Sequence, residues 1–239
     1  DLSITETAVE QQEVLKVISK AVEILFPEYT GRIKHVTHGM MRFESGKMSS
    51  RKGNVITGES LIQDSIDVVS EIMKDRNMTQ VELKEISSIV AVSAIKFSIL
   101  RQAIGGDIIF DFEKSVSFEG DSGPYLLYSV TRANSAIEKA RKENIVSSRE
   151  NPKNELSELE QIIGRFPSVV ARAGEEYAPH HIVVYLLGLA SAFNSFYANN
   201  PIAQKENESS PYNLALTEAF VQVMKNGLNL IGVKVPSKM

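Results

Sequence analysis

Residues 121–140, Asp-Ser-Gly-Pro-Tyr-Leu-Leu-Tyr-Ser-Val-Thr-Arg-Ala-Asn-Ser-Ala-Ile-Glu-Lys-Ala, decide the fold of the second half of the chain. The stretch begins with a serine that can cap a helix and a proline that suits the first helical turn. Apolar residues then recur at intervals of four and three, at Leu126, Val130, Ala133, Ile137 and Ala140. This spacing places them on one helical face, so the stretch predicts a helix that packs against others.

The rest of the second half repeats this helical pattern. Helices are predicted over 155–166, 168–176, 180–199 and 212–231. Pro167 is expected to end the first of them, because proline breaks the hydrogen bonding of a helix interior. The second half is therefore predicted to be an all-α bundle of about five helices.

The first half is predicted to mix strand and helix. It contains an amphipathic helix over 8–26, a short strand region within 33–43, and helices over 57–77 and 82–100. The pair Gly105-Gly106 breaks the last helix. The predicted fold is therefore mainly α, with a domain boundary that separates 1–106 from 107–239.

Composition limits the classes of protein that the chain can represent. The 239 residues carry a formal charge of -4, and they contain no cysteine. Disulfide scaffolds, thiolate metal sites and cysteine nucleophiles are therefore excluded. The sequence shows no long uninterrupted apolar run and no basic signal-like start, so we expect a cytoplasmic chain that does not cross a membrane.

One short segment carries the positive charge. Residues 32–52 hold six basic side chains and one acidic side chain, Glu44, together with glycine and serine residues that form turns. Exposed backbone N–H groups beside cations suit a phosphate-binding loop. A solvated basic loop is the second interpretation that charge alone leaves open.

The sequence Lys-Met-Ser-Ser-Arg-Lys-Gly-Asn at 47–54 resembles the second signature of class I aminoacyl-tRNA synthetases, and the likeness extends over about 35–62. Residues 121–133 resemble the entry to the helical anticodon-binding domain of the arginyl-tRNA synthetase family. Residues 189–197 and 225–239 resemble the last two helices and C-terminus of that family. The resemblance implies the C-terminal part of a Rossmann-like catalytic domain, followed by an all-α anticodon-binding bundle.

The resemblance implies ATP-dependent ligation of arginine to its tRNA through arginyl-adenylate, in which charge develops on the pyrophosphate leaving group. Lys47, Ser49 and Ser50 are the implied catalytic residues, and Gly46 and Gly53 would be hinges of the loop. The residues implied to bind ATP are Gly39, Met40, Lys47, Met48, Arg51 and Lys52. Ser50 stands where many members of the class have a second lysine, so Arg51 or Lys52 would supply that charge.

Aromatic and basic side chains of the bundle are the candidates for tRNA contact. Stacking on unpaired anticodon bases is expected of Tyr125, Tyr128, Arg132 and Tyr197. Phe193 and Phe196 are expected to pack in the core. The implied partners are the anticodon arm of an arginine tRNA, and ATP with Mg²⁺ and arginine as substrates of the complete enzyme. We expect a monomer. We also expect no protein-bound metal, because His35 and His38 lack further ligands.

The first class I signature, His-Ile-Gly-His or a close variant, does not occur in these residues. We therefore expect a C-terminal fragment of a longer synthetase that is inactive alone, and a short natural paralogue is the alternative. Two other functions stay open: a non-catalytic helical tRNA- or protein-binding module that retains the loop, and another class I synthetase such as cysteinyl-tRNA synthetase.

Overall fold

The structure, a computed structural model, describes residues 1–43, 57–152 and 155–239. The strands of these residues are β1 (Ser3–Ala8), β2 (Ile33–His38), β3 (Met41–Phe43) and β4 (Ile108–Phe110). The helices are α1 (Gln12–Leu25), α2 (Gly58–Met73), α3 (Gln80–Leu100), α4 (Phe112–Ser115), α5 (Gly123–Lys142), α6 (Glu158–Gly164), α7 (Phe166–Glu175), α8 (His180–Asn199) and α9 (Ser210–Leu230).

The described residues form two compact units. The first comprises 1–43 and 102–111, and the second comprises 57–101 with 112–152 and 155–239. Helices α2 and α3 therefore pack with the bundle, although they precede the predicted boundary at 106. The division of function at that boundary stays a prediction.

The first unit is built from parallel strand pairs. β1 lies beside β2 with Ser3 opposite Ile33 and Ala8 opposite His38, and α1 makes the crossover between them. β3 and β4 form a second parallel pair, with Met41 opposite Ile108. Parallel pairing and a helical crossover are the elements of a Rossmann-like domain, as the fold class predicted.

Two details of the first unit differ from the prediction. β1 was not predicted, because Ser-Ile-Thr-Glu-Thr-Ala alternates weakly and most of its residues are exposed. α1 is amphipathic as predicted, but none of its residues is buried, and Val17 and Ile24 are each 69% exposed. Little apolar area is therefore removed from water in this part of the unit.

The core of the second unit lies among α3, α5, α8 and α9. α3 is buried on more than one side, as its apolar pattern predicted, and Val90, Ala94 and Phe97 are almost fully buried. The stripe predicted on α5 is buried along its whole length. Phe193 and Phe196 lie in the core, where the Phe193 ring stacks on Phe220 at 3.9 Å between ring centres.

Capping residues explain where several helices begin. The Ser122 hydroxyl accepts a hydrogen bond from the Tyr125 N–H at 3.1 Å, which confirms the predicted N-cap of α5. The prediction for Pro167 was wrong: α6 ends at Gly164, and Pro167 lies in the first turn of α7. Proline is favoured there because its missing N–H has no partner in a first turn.

Helix α8 is long and apolar enough, by length and composition alone, to cross a membrane. Eight of its residues are buried in the bundle, among them Leu186 and Leu189. Core helices of bundles satisfy the same criterion, and this burial accounts for the composition of α8.

The segment that follows α9 packs back on α3. Val233 and Pro236 are buried, and the Lys96 ammonium donates to the Gly232 carbonyl. The Lys238 ammonium lies 2.7 Å from the Glu82 carboxylate, which also accepts the Thr79 N–H at 2.8 Å at the start of α3. Hydrogen bonds from Lys238 and from the Thr79 N–H and hydroxyl lower the pKa of Glu82 to about 2.

Two glycines of the second unit should respond oppositely to alanine. A Cβ on Gly123 would lie 2.5 Å from the Ser93 carbonyl oxygen, whereas one on Gly188, within α8, would meet nothing within 4 Å. We expect Gly123→Ala to lower the free energy of unfolding by about 1–3 kcal/mol. Gly188→Ala should raise it by about 0.5–1 kcal/mol through helix propensity. Urea denaturation measures both, and equal effects would contradict the close approach of α5 to α3.

The ion pair of Lys238 should be visible in the titration of Glu82. Its folded-state pKa lies below the unfolded value of about 4.3, so its stabilisation is present above that pH and is lost as the pH falls towards about 2. We expect Lys238→Gln to raise the midpoint of the Glu82 carboxyl ¹³C titration. Lys234→Gln, in the same segment, is the matched control and should leave it unchanged. An unaltered midpoint in Lys238→Gln would show that the pair does not form.

Candidate nucleic-acid interface

The four predicted tRNA-binding residues lie together where α5 meets α8. Tyr125, Tyr128 and Arg132 share a face of α5, because they are three and four residues apart. Tyr197 comes from α8, which contacts α5 in the bundle. The Arg132 cluster is defined here as Tyr125, Tyr128, Ser129, Arg132, Asn194 and Tyr197.

The Arg132 guanidinium lies against two aromatic rings. Its central carbon is 4.7 Å from the centre of the Tyr197 ring and 5.9 Å from that of Tyr128. Such cation–π contacts contribute about 0.5–1 kcal/mol each at exposed sites. Arg132 is itself exposed, so its donors remain accessible from solvent.

Asn194 connects the members of the cluster. Its Oδ1 accepts a hydrogen bond from Arg132 Nη1 at 3.3 Å. Its Nδ2 donates to the Tyr125 hydroxyl at 2.9 Å and to the Ser129 hydroxyl at 3.1 Å. The buried Ser129 hydroxyl in turn donates to the Tyr125 carbonyl at 2.9 Å, which fixes it to α5. The cluster is therefore a connected polar network of two helices.

The hydroxyl groups of the cluster retain hydrogen-bonding capacity. The Tyr125 oxygen accepts from Asn194, so its own proton remains to be donated. Within residues 1–43, 57–152 and 155–239, neither the Tyr128 nor the Tyr197 hydroxyl has a hydrogen-bond partner. The cluster thus combines a cation, aromatic surfaces and available donors, which suits a ligand with both planar rings and anionic oxygens.

Asn194 was not identified from the sequence as a site residue, although it lies within the stretch that carries the family resemblance. A signal was present: Asn194 is a polar residue between Phe193 and Phe196, both of which face the core. A half-buried amide in such a position needs hydrogen-bond partners, and the side chains of α5 provide them.

The first unit holds the predicted ATP-binding residues Gly39 and Met40 between β2 and β3. A Cβ on the buried Gly39 would lie 2.1 Å from the Gly106 carbonyl oxygen, so the two backbones touch and only glycine fits. The Met40 N–H donates to Asp107 Oδ1 at 3.1 Å, and its carbonyl accepts from the Ile108 N–H at 2.9 Å. A backbone hydrogen bond from Met40 to a nucleotide would therefore use the second lone pair of its carbonyl.

The other predicted catalytic and ATP-binding residues, Lys47, Met48, Ser49, Ser50, Arg51 and Lys52, lie outside the described residues, as do the predicted hinges Gly46 and Gly53. Their roles stay predictions.

The histidines take part in local contacts. His35 Nε2 lies 2.9 Å from the Thr7 hydroxyl, and His38 Nδ1 lies 2.9 Å from the Gly39 carbonyl. His181 Nε2 is 2.5 Å from the Glu176 carboxylate, and its ring packs on His180, whose pKa is lowered chiefly by burial. Among the residues that the structure describes, no group of three histidine or carboxylate side chains could hold a metal ion.

Two protein families match the sequence. Residues 5–112 match the family described as tRNA synthetases class I (R), catalytic domain, and residues 126–239 match the DALR anticodon binding domain. The Arg132 cluster thus lies in the second matched region, apart from Tyr125, which immediately precedes it. Together the two matches assign the chain to the class I aminoacyl-tRNA synthetases.

Curated relatives and solved structures identify the family within that class. The arginine–tRNA ligase of Clostridium acetobutylicum is 35% identical over 100% of this chain and 43% of its own length. That of Fusobacterium nucleatum is 38% identical over 86% of this chain and 37% of its own. The arginyl-tRNA synthetase structure of Thermus thermophilus matches 100% of this chain and 41% of that chain, with a TM-score of 0.84 and 24% identity, which shows the shared fold.

The chain belongs to the arginyl-tRNA synthetase family, and it spans about two fifths of the length of the curated relatives that it matches.

Proposed function

We propose that this chain is the part of an arginine–tRNA ligase that supplies the loop for the ATP phosphates and the surface for the tRNA anticodon arm. The substrates of the complete enzyme would be arginine, an arginine tRNA, and ATP with its Mg²⁺. The enzyme would act in the cytoplasm, where tRNA is charged, and it would be a monomer.

The Arg132 cluster is the observation that carries the anticodon-binding part of the proposal. Single-stranded RNA loops are recognised by bases that stack on aromatic rings or on arginine planes and that bond through their edges. Tyr128, Tyr197 and Arg132 offer such surfaces, and Tyr125 offers a hydroxyl proton. The location of the cluster in a region similar to an anticodon-binding domain supports this role.

The charge of the bundle supports a contact with few phosphates. Residues 121–239 contain as many acidic as basic side chains. Arg141 pairs with Glu218 at 3.7 Å, and Arg172 pairs with Glu176 at 2.8 Å. Within the described ranges, Arg132 and Lys139 have no carboxylate within 4.0 Å, and Lys139 lies two helical turns, about 10 Å, beyond Arg132 on the same face of α5.

The catalytic part of the proposal rests on the sequence of the loop and on the family. Adenylate formation develops negative charge on pyrophosphate, and a cation placed there stabilises the transition state. Lys47 would supply this cation, Ser49 and Ser50 would donate hydrogen bonds, and Arg51 or Lys52 would replace the second lysine of the common signature. Met48 would contact ATP, and the backbone around Gly39 and Met40 would hold adenine.

We predict that the chain binds an RNA stem-loop with the anticodon arm of an arginine tRNA more tightly than one with altered loop bases. Arg132→Gln should weaken binding of both RNAs about tenfold and lower the salt slope by about 1 if Arg132 contacts phosphate. It should weaken only the cognate RNA if Arg132 reads a base.

Fluorescence anisotropy over a salt series measures both quantities. Arg76→Gln is the control, because it removes the same charge from an exposed position outside the cluster. Equal affinity of the unaltered chain for the two RNAs, or no binding at low salt, would favour a helical module without anticodon recognition.

For the catalytic loop, we predict that Lys47→Ala in a complete ligase lowers the rate constant of arginine activation far more than it weakens arginine binding. A cation that acts on developing charge contributes mainly in the transition state. Single-turnover measurement of arginyl-adenylate formation over a range of arginine concentrations gives the rate constant of activation and the affinity for arginine separately. An unchanged rate constant would transfer the role to Arg51 or Lys52, which the corresponding alanine variants would test.

A further inference from the structure

The arginines of the second unit are held by different kinds of acceptor. Carboxylates hold Arg141 and Arg172, and Asp121 lies 3.7 Å from Arg101. Arg132 is held by the neutral amide of Asn194. A carboxylate at position 194 would have the same size and could accept the same hydrogen bond, so the difference lies in charge.

We infer that Asn194 is a positioning residue that orients Arg132 and Tyr125 for RNA while leaving the charge of the guanidinium uncompensated. This inference rests on the proposed anticodon-binding function. It assigns to Asn194 two separable effects, one on the geometry of the cluster and one on its net charge.

The geometric effect follows from the bonds of the amide. Both Nδ2 protons are used, one by the Tyr125 hydroxyl and one by Ser129, so the amide plane is fixed. Oδ1 then faces Arg132. Tyr197 lies one turn further along α8 and supports the guanidinium from its ring face. One helix therefore provides both an edge contact and a face contact to the same cation.

The electrostatic effect follows from the count of donors. Guanidinium carries five N–H donors, and the amide of Asn194 takes one of them. A bidentate carboxylate would take two and would cancel the charge that attracts phosphate. An arginine that is ordered before binding also loses less conformational entropy when the RNA docks.

Two substitutions separate these effects. Asn194→Asp keeps the size and an acceptor for Arg132. The Tyr125 hydroxyl can donate to the new carboxylate, and the Ser129 hydroxyl can do so by turning away from the Tyr125 carbonyl. Asn194→Asp therefore preserves the position of Arg132 but cancels its charge. Asn194→Ala removes the hydrogen bonds and keeps the charge. Asn226→Asp is the matched control, because this amide lies exposed on α9 and accepts from Gln222.

The experiment uses the whole chain with the arginine anticodon stem-loop as the probe, across a salt series. We expect Asn194→Asp to weaken binding about tenfold, equivalent to about 1.4 kcal/mol, and to lower the salt slope by about 1. We expect Asn194→Ala to weaken binding with the salt slope unchanged. Asn226→Asp should change neither quantity appreciably.

A second measurement needs no RNA. In ¹⁵N NMR spectra, the two Nη nitrogens of Arg132 should give two resolved signals in the unaltered chain and in Asn194→Asp, because rotation of the guanidinium is hindered. In Asn194→Ala the two signals should average to one. If Asn194 only stabilises the bundle, the three proteins will give the same Arg132 signals, and the binding losses will follow the unfolding midpoints.

The outcomes distinguish a failure of the proposed function from a failure of the inference about Asn194. If the unaltered chain fails to bind the stem-loop, the proposed function fails, and the NMR series alone decides whether Asn194 positions Arg132. If the chain binds but Asn194→Asp keeps the full affinity and salt slope, the proposed function stands, and the inference about charge is overturned.

Discussion

Helix α5 contacts α3, α8 and α9, and its buried face is the constraint on which the bundle depends. The face is continuous from Gly123 to Ala140. At its start, Gly123 brings the backbone of α5 against Ser93 of α3, where no larger residue fits. Because this face is fully used for packing, the side chains at its margin, Tyr125, Tyr128 and Arg132, come to lie where α5 meets α8. Packing thus determines the position of the polar cluster.

Much of this fold could be predicted from the sequence, because the information is local. Pro179 immediately precedes α8 and Pro201 follows its last turn, and the prediction of 180–199 agrees with the structure. The strand β1 could not be predicted in this way, since its residues become a strand only through pairing with β2. Pro167 was misinterpreted because a proline between two helical patterns is compatible both with the end of the first helix and with the first turn of the second.

The candidate site, like the fold, could be predicted only in part from the sequence. Residue types and the family resemblance predicted Tyr125, Tyr128, Arg132 and Tyr197, and the structure brings them together across two helices. The position of Asn194 between two core phenylalanines indicated a need for hydrogen-bond partners, but the sequence of α8 does not show that these partners are side chains of α5. The interface proposed for RNA is therefore formed by two helices, α5 and α8, each of which could be predicted from the sequence. The hydrogen bonds of the Asn194 amide join the two helices.

We propose the Arg132 cluster as the surface that contacts the anticodon arm. Chemical-shift mapping of the whole ¹⁵N-labelled chain during titration with the arginine anticodon stem-loop tests this most directly. We expect the largest changes at Tyr125, Arg132, Asn194 and Tyr197. Largest changes instead at the groove between α5 and α9, a cavity of about 420 Å³ lined by Glu138, Arg141, Glu218 and Lys225 among others, would contradict it.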